Sequence, residues 1–244
     1  MINLTLHRLE LAEALSQQER AAVLGWSEIP AFFRRSEPIL RQGDAPTRCA
    51  ILRRGLACRW KMNSDGGRQI VSLHYPGDLL DLQHFLLERA DHHISALTSC
   101  DLSWVSYEDL QQTVEQYPAV GRALWRYTLA EASVSREWLL NVGRRDALQR
   151  VAHLLVELHL RTTDAGMAAT DAPTEALTQE DIADATGLTA VHVNRMIQRL
   201  RSSKALPERG KLMTTEHLQR LKEFAVFDGA YLHHLTSKRS AVIG

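Results

Sequence analysis

Apolar and polar positions follow three different rhythms along this chain. Leu9, Leu11, Leu15 and the stretch Val23 to Trp26 predict one or two short amphipathic helices at the start. From Glu37 to Tyr107 short apolar runs are separated by turn signals: PILRQGD, RCAILRRGLACRWKM, the hairpin-like NSDGGR, QIVSLHYPGD, HISALTS and DLSWVS. This texture predicts a small β-barrel or jelly roll with a short helix inserted over Gln83 to Arg89. Beyond Tyr107 the period changes again. Pro118 suits the first turn of a helix, and nothing interrupts helical character from Ala119 to about Asn141.

On that long helix Val120, Leu124, Tyr127, Val134 and Trp138 recur at alternating four- and three-residue steps, with Glu131 breaking the row. The row is expected to be a two-stranded dimer seam; the alternative is that it packs against its own barrel. Gly143 and Arg144 to Asp146 mark a hinge, and Ala147 to Arg161 predicts another amphipathic helix. Residues 162–177 are a polar connection. The expected divisions are a sensor barrel at 1–117, a dimerisation helix at 118–143, a DNA-binding domain at 144–223 and a C-terminal extension at 224–244.

The densest information lies just after that connection. With Gln179 as the first position of a 20-residue helix-turn-helix frame, Ile182 is fourth, Ala183 fifth, Gly187 ninth, Leu188 tenth, Val193 fifteenth and Met196 eighteenth. Ala183 is small where two helices cross closely, Gly187 can take the positive φ that ends the first helix, and the other apolar residues form the inner seam. Thr189 is an N-cap for the second helix, whose outer face would present Ala190, Val191, His192, Asn194, Arg195, Gln198 and Arg199. Arg195 is placed to donate two hydrogen bonds to a guanine edge, and Thr178 and Gln179, at the start of the first helix, suit phosphate contacts. Leu206, the turn Pro207 to Gly210, and Lys211 to Thr214 predict two short strands around a basic loop, a wing with Lys211 at its tip.

Composition alters this picture little. The 244 residues carry 29 Lys and Arg against 29 Asp and Glu, so the basic run Arg195, Arg199, Arg201, Lys204, Arg209 and Lys211 is a local positive field in a neutral chain. A hydrophobic content of 45% suffices for one or two cores. No apolar run approaches the length of a membrane span and the start lacks a signal-peptide core, so a cytoplasmic protein is expected. Cys49, Cys58 and Cys100 form no CxxC pair and are expected to be core or surface thiols.

The order of parts, barrel, long helix and winged helix-turn-helix, resembles the Crp/Fnr family of bacterial transcription regulators across nearly the whole chain. The resemblance is carried by EPILRQGD with Gly43 and Asp44, the Gly55 turn, PGD with Gly77 and Asp78, the helix from Asp146, and LTQEDIADATGLTAVHVNRMIQRLRSSKAL. It implies an α+β protein with an N-terminal cyclic-nucleotide-binding-like β jelly roll, a long dimerisation helix and a C-terminal winged helix-turn-helix. It also implies a homodimer on an inverted-repeat operator in double-stranded DNA, with half-site centres about 34 Å apart. RNA polymerase is a further implied partner.

Departures from the family pattern carry information too. In its cyclic-AMP-binding members a Gly-Glu-Leu-Gly segment and an Arg-Ser pair hold ribose and phosphate; the corresponding text here is Asp81-Leu82-Gln83-His84 and Ala90-Asp91. An acid stands where the phosphate-binding serine would be, and Arg89 is one position away from the expected arginine. An effector pocket would therefore involve Asp81, Leu82, Arg89, Ala90 and Asp91, but cyclic AMP is not expected to bind there in the usual way. Val191 stands where many members place a glutamate, so only apolar contact, as to a thymine methyl, is available there. The N-terminal cysteine cluster of the iron-sulfur members is missing. His74, His84, His92 and His93 are read as hydrogen-bonded or solvated, so no metal or cofactor is expected and the effector is unassigned. Two other classes stand beside the DNA reading: a regulatory subunit whose C-terminal helices bind protein, and an enzyme, for which no nucleophile-base spacing is visible.

Overall fold

The computed structural model describes residues 4–167 and 177–235. Residues 168–176 of the polar connection and 236–244 of the C-terminal extension lie outside the described residues. The chain forms two compact units, Met1–Lys61 with Ser72–Ala132, and Met62–Val71 with Ser133–Gly244.

The first unit opens with α1 (Leu4–Ala12) and α2 (Gln17–Leu24), where Ser16 closes a capping box with Glu19. Strands β1 (Ile29–Phe33), β2 (Pro38–Leu40), β3 (Arg48–Arg54), β4 (Ala57–Met62), β5 (Arg68–His74), β6 (His93–Ala96) and β7 (Cys100–Ser106) follow. They build two sheets of order β1-β7-β3 and β2-β6-β4-β5. Antiparallel register runs from Ile29 opposite Trp104 in the first sheet and from Ala57 opposite Ala96 in the second. Alternate inward positions, Leu40, Ala50, Leu52, Ala57, Ile94, Ala96 and Leu102 among them, fill the space between the sheets as the strand period requires. The predicted helix over Gln83 to Arg89 is a single 3-10 turn, Leu82–Phe85.

Gly77 in the PGD turn has φ +93°, and a Cβ there would lie 2.9 Å from the Leu4 side chain. This close approach lets Arg8 of α1, itself buried, pair with buried Asp78 at 3.1 Å and donate to the Pro76 carbonyl at 3.1 Å. The PGD motif is thus a dock for the first helix. Of the expected core or surface placement of the three cysteines, the structure has all three buried, and burial pushes the Cys100 thiol up to about 11.

Helix α3 (Tyr107–Gln116) leads to α4 (Pro118–Arg144), a single 27-residue helix whose C-terminal part belongs to the second unit. Structure corrects the expected seam here. Val120, Leu124, Tyr127, Val134 and Trp138 are all buried within the single chain, Trp138 at 7% exposure, so they are unavailable to a partner. The apolar side chains that α4 leaves exposed are Trp125 (69%), Leu129, Leu139 (75%) and Leu140. Trp125, Leu129 and Leu139, with Ala132 and Arg136 between them, make a second row at four- and three-residue steps.

In the second unit α5 (Ala147–Asp164) starts at a capping box of Asp146 with Gln149. It is followed by α6 (Gln179–Thr186), α7 (Ala190–Ser202), α8 (Thr215–Ala225) and a kinked 3-10 segment, Gly229–Leu235. Fully buried Glu157 on α5 accepts from Trp138 Nε1 at 3.1 Å and from the Tyr231 hydroxyl at 2.7 Å. Phe227 and Tyr231 pack their rings 5.0 and 5.6 Å from that of buried His153. His233 Nε2 lies 3.3 Å from the Ser133 hydroxyl. The described part of the C-terminal extension is therefore packed into this unit, tying α5 to α4. Among the described residues no helix is long and apolar enough to cross a membrane.

Candidate nucleic-acid interface

The reader is built from its caps inward. Thr178 takes extended backbone angles as N-cap of α6, its hydroxyl accepting from Asp181 N at 3.1 Å while its own N–H donates to the Asp181 carboxylate at 3.0 Å. Gly187 ends α6 at φ 65°, ψ 37°, the left-handed conformation for which the ninth frame position is reserved, and its N–H closes on Ala183 O. Two residues later Thr189 caps α7, accepting from His192 N at 3.3 Å. Ile182, Ala183, Val193, Met196, Ile197 and Leu200 are buried in the seam between the helices. From behind, Arg150 of α5 donates to Arg145 O at 2.9 Å and to Thr186 O, the last residue of α6, at 3.3 Å.

What this frame leaves outside is the predicted face. Val191 (72% exposed), Asn194, Arg195, Gln198 and Arg199 are exposed on α7, and Ala190 and His192 are half-buried. Positions 191, 194, 195 and 198 fall on one side of a helix of 3.6 residues per turn. No carboxylate stands on α7, and the Arg195 and Arg199 side chains make no hydrogen bond or ion pair among the described residues. Two guanidiniums on an uncapped face, held by a buried seam, can donate to base edges or phosphates without first breaking an internal bond.

Other assigned residues are placed differently. Thr178 and Thr189 are exposed, but their hydroxyls are occupied as caps; Gln179, also exposed, is free of that role. No strand forms between Leu206 and Thr214, so the expected two-stranded wing is a loop here. Pro207 has no N–H to give a ladder, and Thr214 is consumed as N-cap of α8, so too few residues are left to pair. The loop turns at Arg209-Gly210, closed by Lys211 N to Glu208 O at 3.0 Å. At its tip Lys211 Nζ lies 2.7 Å from the Glu208 carboxylate, which raises the lysine pKa and offsets its charge. In the sequence Arg201 and Arg209 stand out only as members of a basic run. The structure brings both to one groove with Leu177, Thr178, Gln179, Ile197 and Gly210, beside the N-terminus of α6. Their spacing of eight residues across a turn left no periodic signal.

In the first unit the supposed effector residues have other occupations. Asp81 is buried and accepts from Ala50 N at 3.0 Å, burial raising its pKa; Leu82 and Ala90 are core. Arg89 is exposed and donates to Gly43 O at 3.1 Å, while exposed Asp91 bonds His92 and Lys61. These five therefore do not assemble the cationic clamp that a cyclic phosphate needs.

Comparison with known proteins agrees with both units. Residues 30–117 match the cyclic nucleotide-binding domain and residues 149–224 the Crp-like helix-turn-helix domain. A probable transcriptional activator from Rhizobium leguminosarum bv. viciae is 32% identical over 165 residues, 67% of each chain. The transcriptional activator protein FnrL of Cereibacter sphaeroides is 25% identical over 215 residues, 86% of each. Among solved structures, FixK2 from Bradyrhizobium japonicum aligns over 80% of this chain and 97% of its own at a TM-score of 0.68 and 26% identity. With a jelly roll of the cyclic nucleotide-binding type, a long helix and a capped helix-turn-helix in this order, the chain belongs to the Crp/Fnr family of helix-turn-helix transcription regulators.

Proposed function

We propose that this regulator acts in the cytoplasm as a homodimer that lays two copies of α7 in successive major grooves of an inverted-repeat operator. The observation that carries the reading is the exposed face of α7, where Arg195 and Arg199 stand without a partner among the described residues over a buried seam. Arg195 donates in a fork to guanine O6 and N7, Val191 meets a thymine methyl, and Asn194 or His192 supplies a neighbouring contact. Arg201, Arg209 and Gln179 line the groove at the N-terminus of α6 and take the flanking phosphate.

The dimer forms along the exposed row of α4, Trp125, Leu129 and Leu139, with Leu140 at its margin. An apolar row of this kind is unfavourable in water and matches the spacing of a two-helix seam. RNA polymerase is the partner through which DNA binding would alter transcription. An effector of the sensor unit acts only by binding one of two states of the dimer more tightly than the other.

Salt titration of DNA affinity separates this reading from one in which the C-terminal helices bind protein. Phosphate neutralisation makes log K fall linearly with log salt, by about 0.9 for each phosphate contacted. A slope near zero, or no binding at low salt, contradicts the proposal.

A further inference from the structure

The first unit contains a side-chain cluster that neither the reader nor the barrel core uses. His84 from the 3-10 turn, and Asp91 and His92 from the segment entering β6, each offer one donor atom, all within 4.8 Å of one another. His84 is only 4% exposed, yet among the described residues neither its Nδ1 nor its Nε2 has a hydrogen-bond partner. Its ring stacks on that of buried His92, with 5.3 Å between centroids. His92 Nδ1 lies 2.7 Å from the Asp91 carboxylate, and its Nε2 accepts from Arg59 Nε at 3.1 Å. Asp91 is exposed, so the cluster opens to solvent on one side.

A buried imidazole without hydrogen bonds is an unfavourable arrangement that a structure ordinarily avoids, and neutral imidazole is the commonest protein ligand for a metal ion. Two imidazole nitrogens with one carboxylate oxygen suit a borderline ion, whereas magnesium and calcium take oxygen ligands.

We propose that His84, Asp91 and His92 bind one divalent transition-metal ion of the zinc type, with the fourth position open toward solvent. An ion with ligands at about 2.0–2.1 Å sets neighbouring donors roughly 3.3 Å apart, so donors up to 4.8 Å apart must approach by as much as about 1.5 Å through a shift of the 3-10 turn that carries His84, while His92 Nδ1 and the Asp91 oxygen, 2.7 Å apart, separate slightly. With the ion on His92 Nδ1, the nitrogen facing Asp91, the ring proton resides on Nε2. The Gln83 amide, 3.2 Å from Nε2, turns its oxygen to accept that proton and fixes the ring. Arg59 then loses two acceptors, His92 Nε2 at 3.1 Å and the Gln83 Oε1 at 3.2 Å, and keeps the Leu80 carbonyl at 2.8 Å. Its charge and that of Lys61, 3.2 Å from the other Asp91 oxygen, oppose a cation, so both set the affinity downward.

The test is a titration of the chelator-stripped full chain with zinc by calorimetry and with cobalt by visible absorption, without DNA. Expected are one ion per chain, a cobalt spectrum lacking a thiolate charge-transfer band, loss of binding in His84→Gln, and tighter binding in Arg59→Gln. Asp91→Asn, at an exposed position, leaves the fold intact and weakens binding about tenfold or more. If His84→Gln does not fold, Asp91→Asn decides alone. Absence of saturable binding up to one equivalent, a thiolate band, or equal affinity in Asp91→Asn and the parent overturns the proposal.

Discussion

Arg195 is available to DNA because its neighbours are spoken for. Val193 and Met196 on either side turn into the seam, and no acid on α7 competes for its guanidinium. Arg195→Ala should cost about 1–3 kcal/mol on the preferred operator and relax choice at one base pair. Competition binding on specific and scrambled duplexes measures this, and an equal loss on both would reduce Arg195 to a phosphate contact. Lys211 is different, because Glu208 lies 2.7 Å from its ammonium. Lys211→Ala should weaken all duplexes alike and only slightly, whereas Glu208→Gln should strengthen them; a sequence-selective loss in Lys211→Ala would reverse the roles of the two cations. The α7 face was legible in the sequence because caps, the left-handed glycine and the seam are all fixed by local spacing. The Glu208 to Lys211 pair was not, since its rotamers are set by a turn whose conformation the wing pattern misstated. Nor could spacing reveal that His84 would be buried without partners beside His92.

At the scale of elements, α4 shows what periodicity can and cannot say. Its length and its start at Pro118 were readable, but two apolar rows run along it, both at four- and three-residue steps. Only the packing shows that Val120, Leu124, Tyr127, Val134 and Trp138 turn inward and that Trp125, Leu129 and Leu139 do not. Leu124→Ala should therefore destabilise the chain by about 2–5 kcal/mol without changing its oligomeric state. Leu129→Glu should do the opposite, leaving the fold intact and yielding monomer in sedimentation; a dimer that survives Leu129→Glu excludes this face. The last described segment was unreadable for a related reason: Phe227 and Tyr231 show no period, and their value comes from distant His153 and Glu157. Burial, with the Arg145 cation, holds His153 down at about 3, whereas an unfolded imidazole titrates near 6.5. The unfolded state thus takes up the proton first, and the second unit loses stability as pH falls from about 6.5 toward 3. Thermal unfolding across that range should show the decline, flattened in His153→Leu; an unchanged slope in that variant would assign the decline to other groups.

The whole molecule was largely legible in its order of parts, because each change of hydrophobic period marks a change of architecture. Less legible was the cyclic nucleotide-binding-type unit, where the residues at the positions of the resemblance's phosphate site have structural duties: Asp81 holds a strand amide and Arg89 a turn carbonyl. That is a physical reason to look for an effector other than a cyclic nucleotide. The dimeric reader is the claim on which the functional account rests, and selection of bound duplexes from a random pool by the purified full chain tests it most directly. The account predicts enrichment of a two-fold symmetric site with half-site centres about one helical turn apart, and loss of one symmetric pair of preferred bases with Arg195→Ala. Enrichment of a single asymmetric element, or of nothing at low salt, would contradict it.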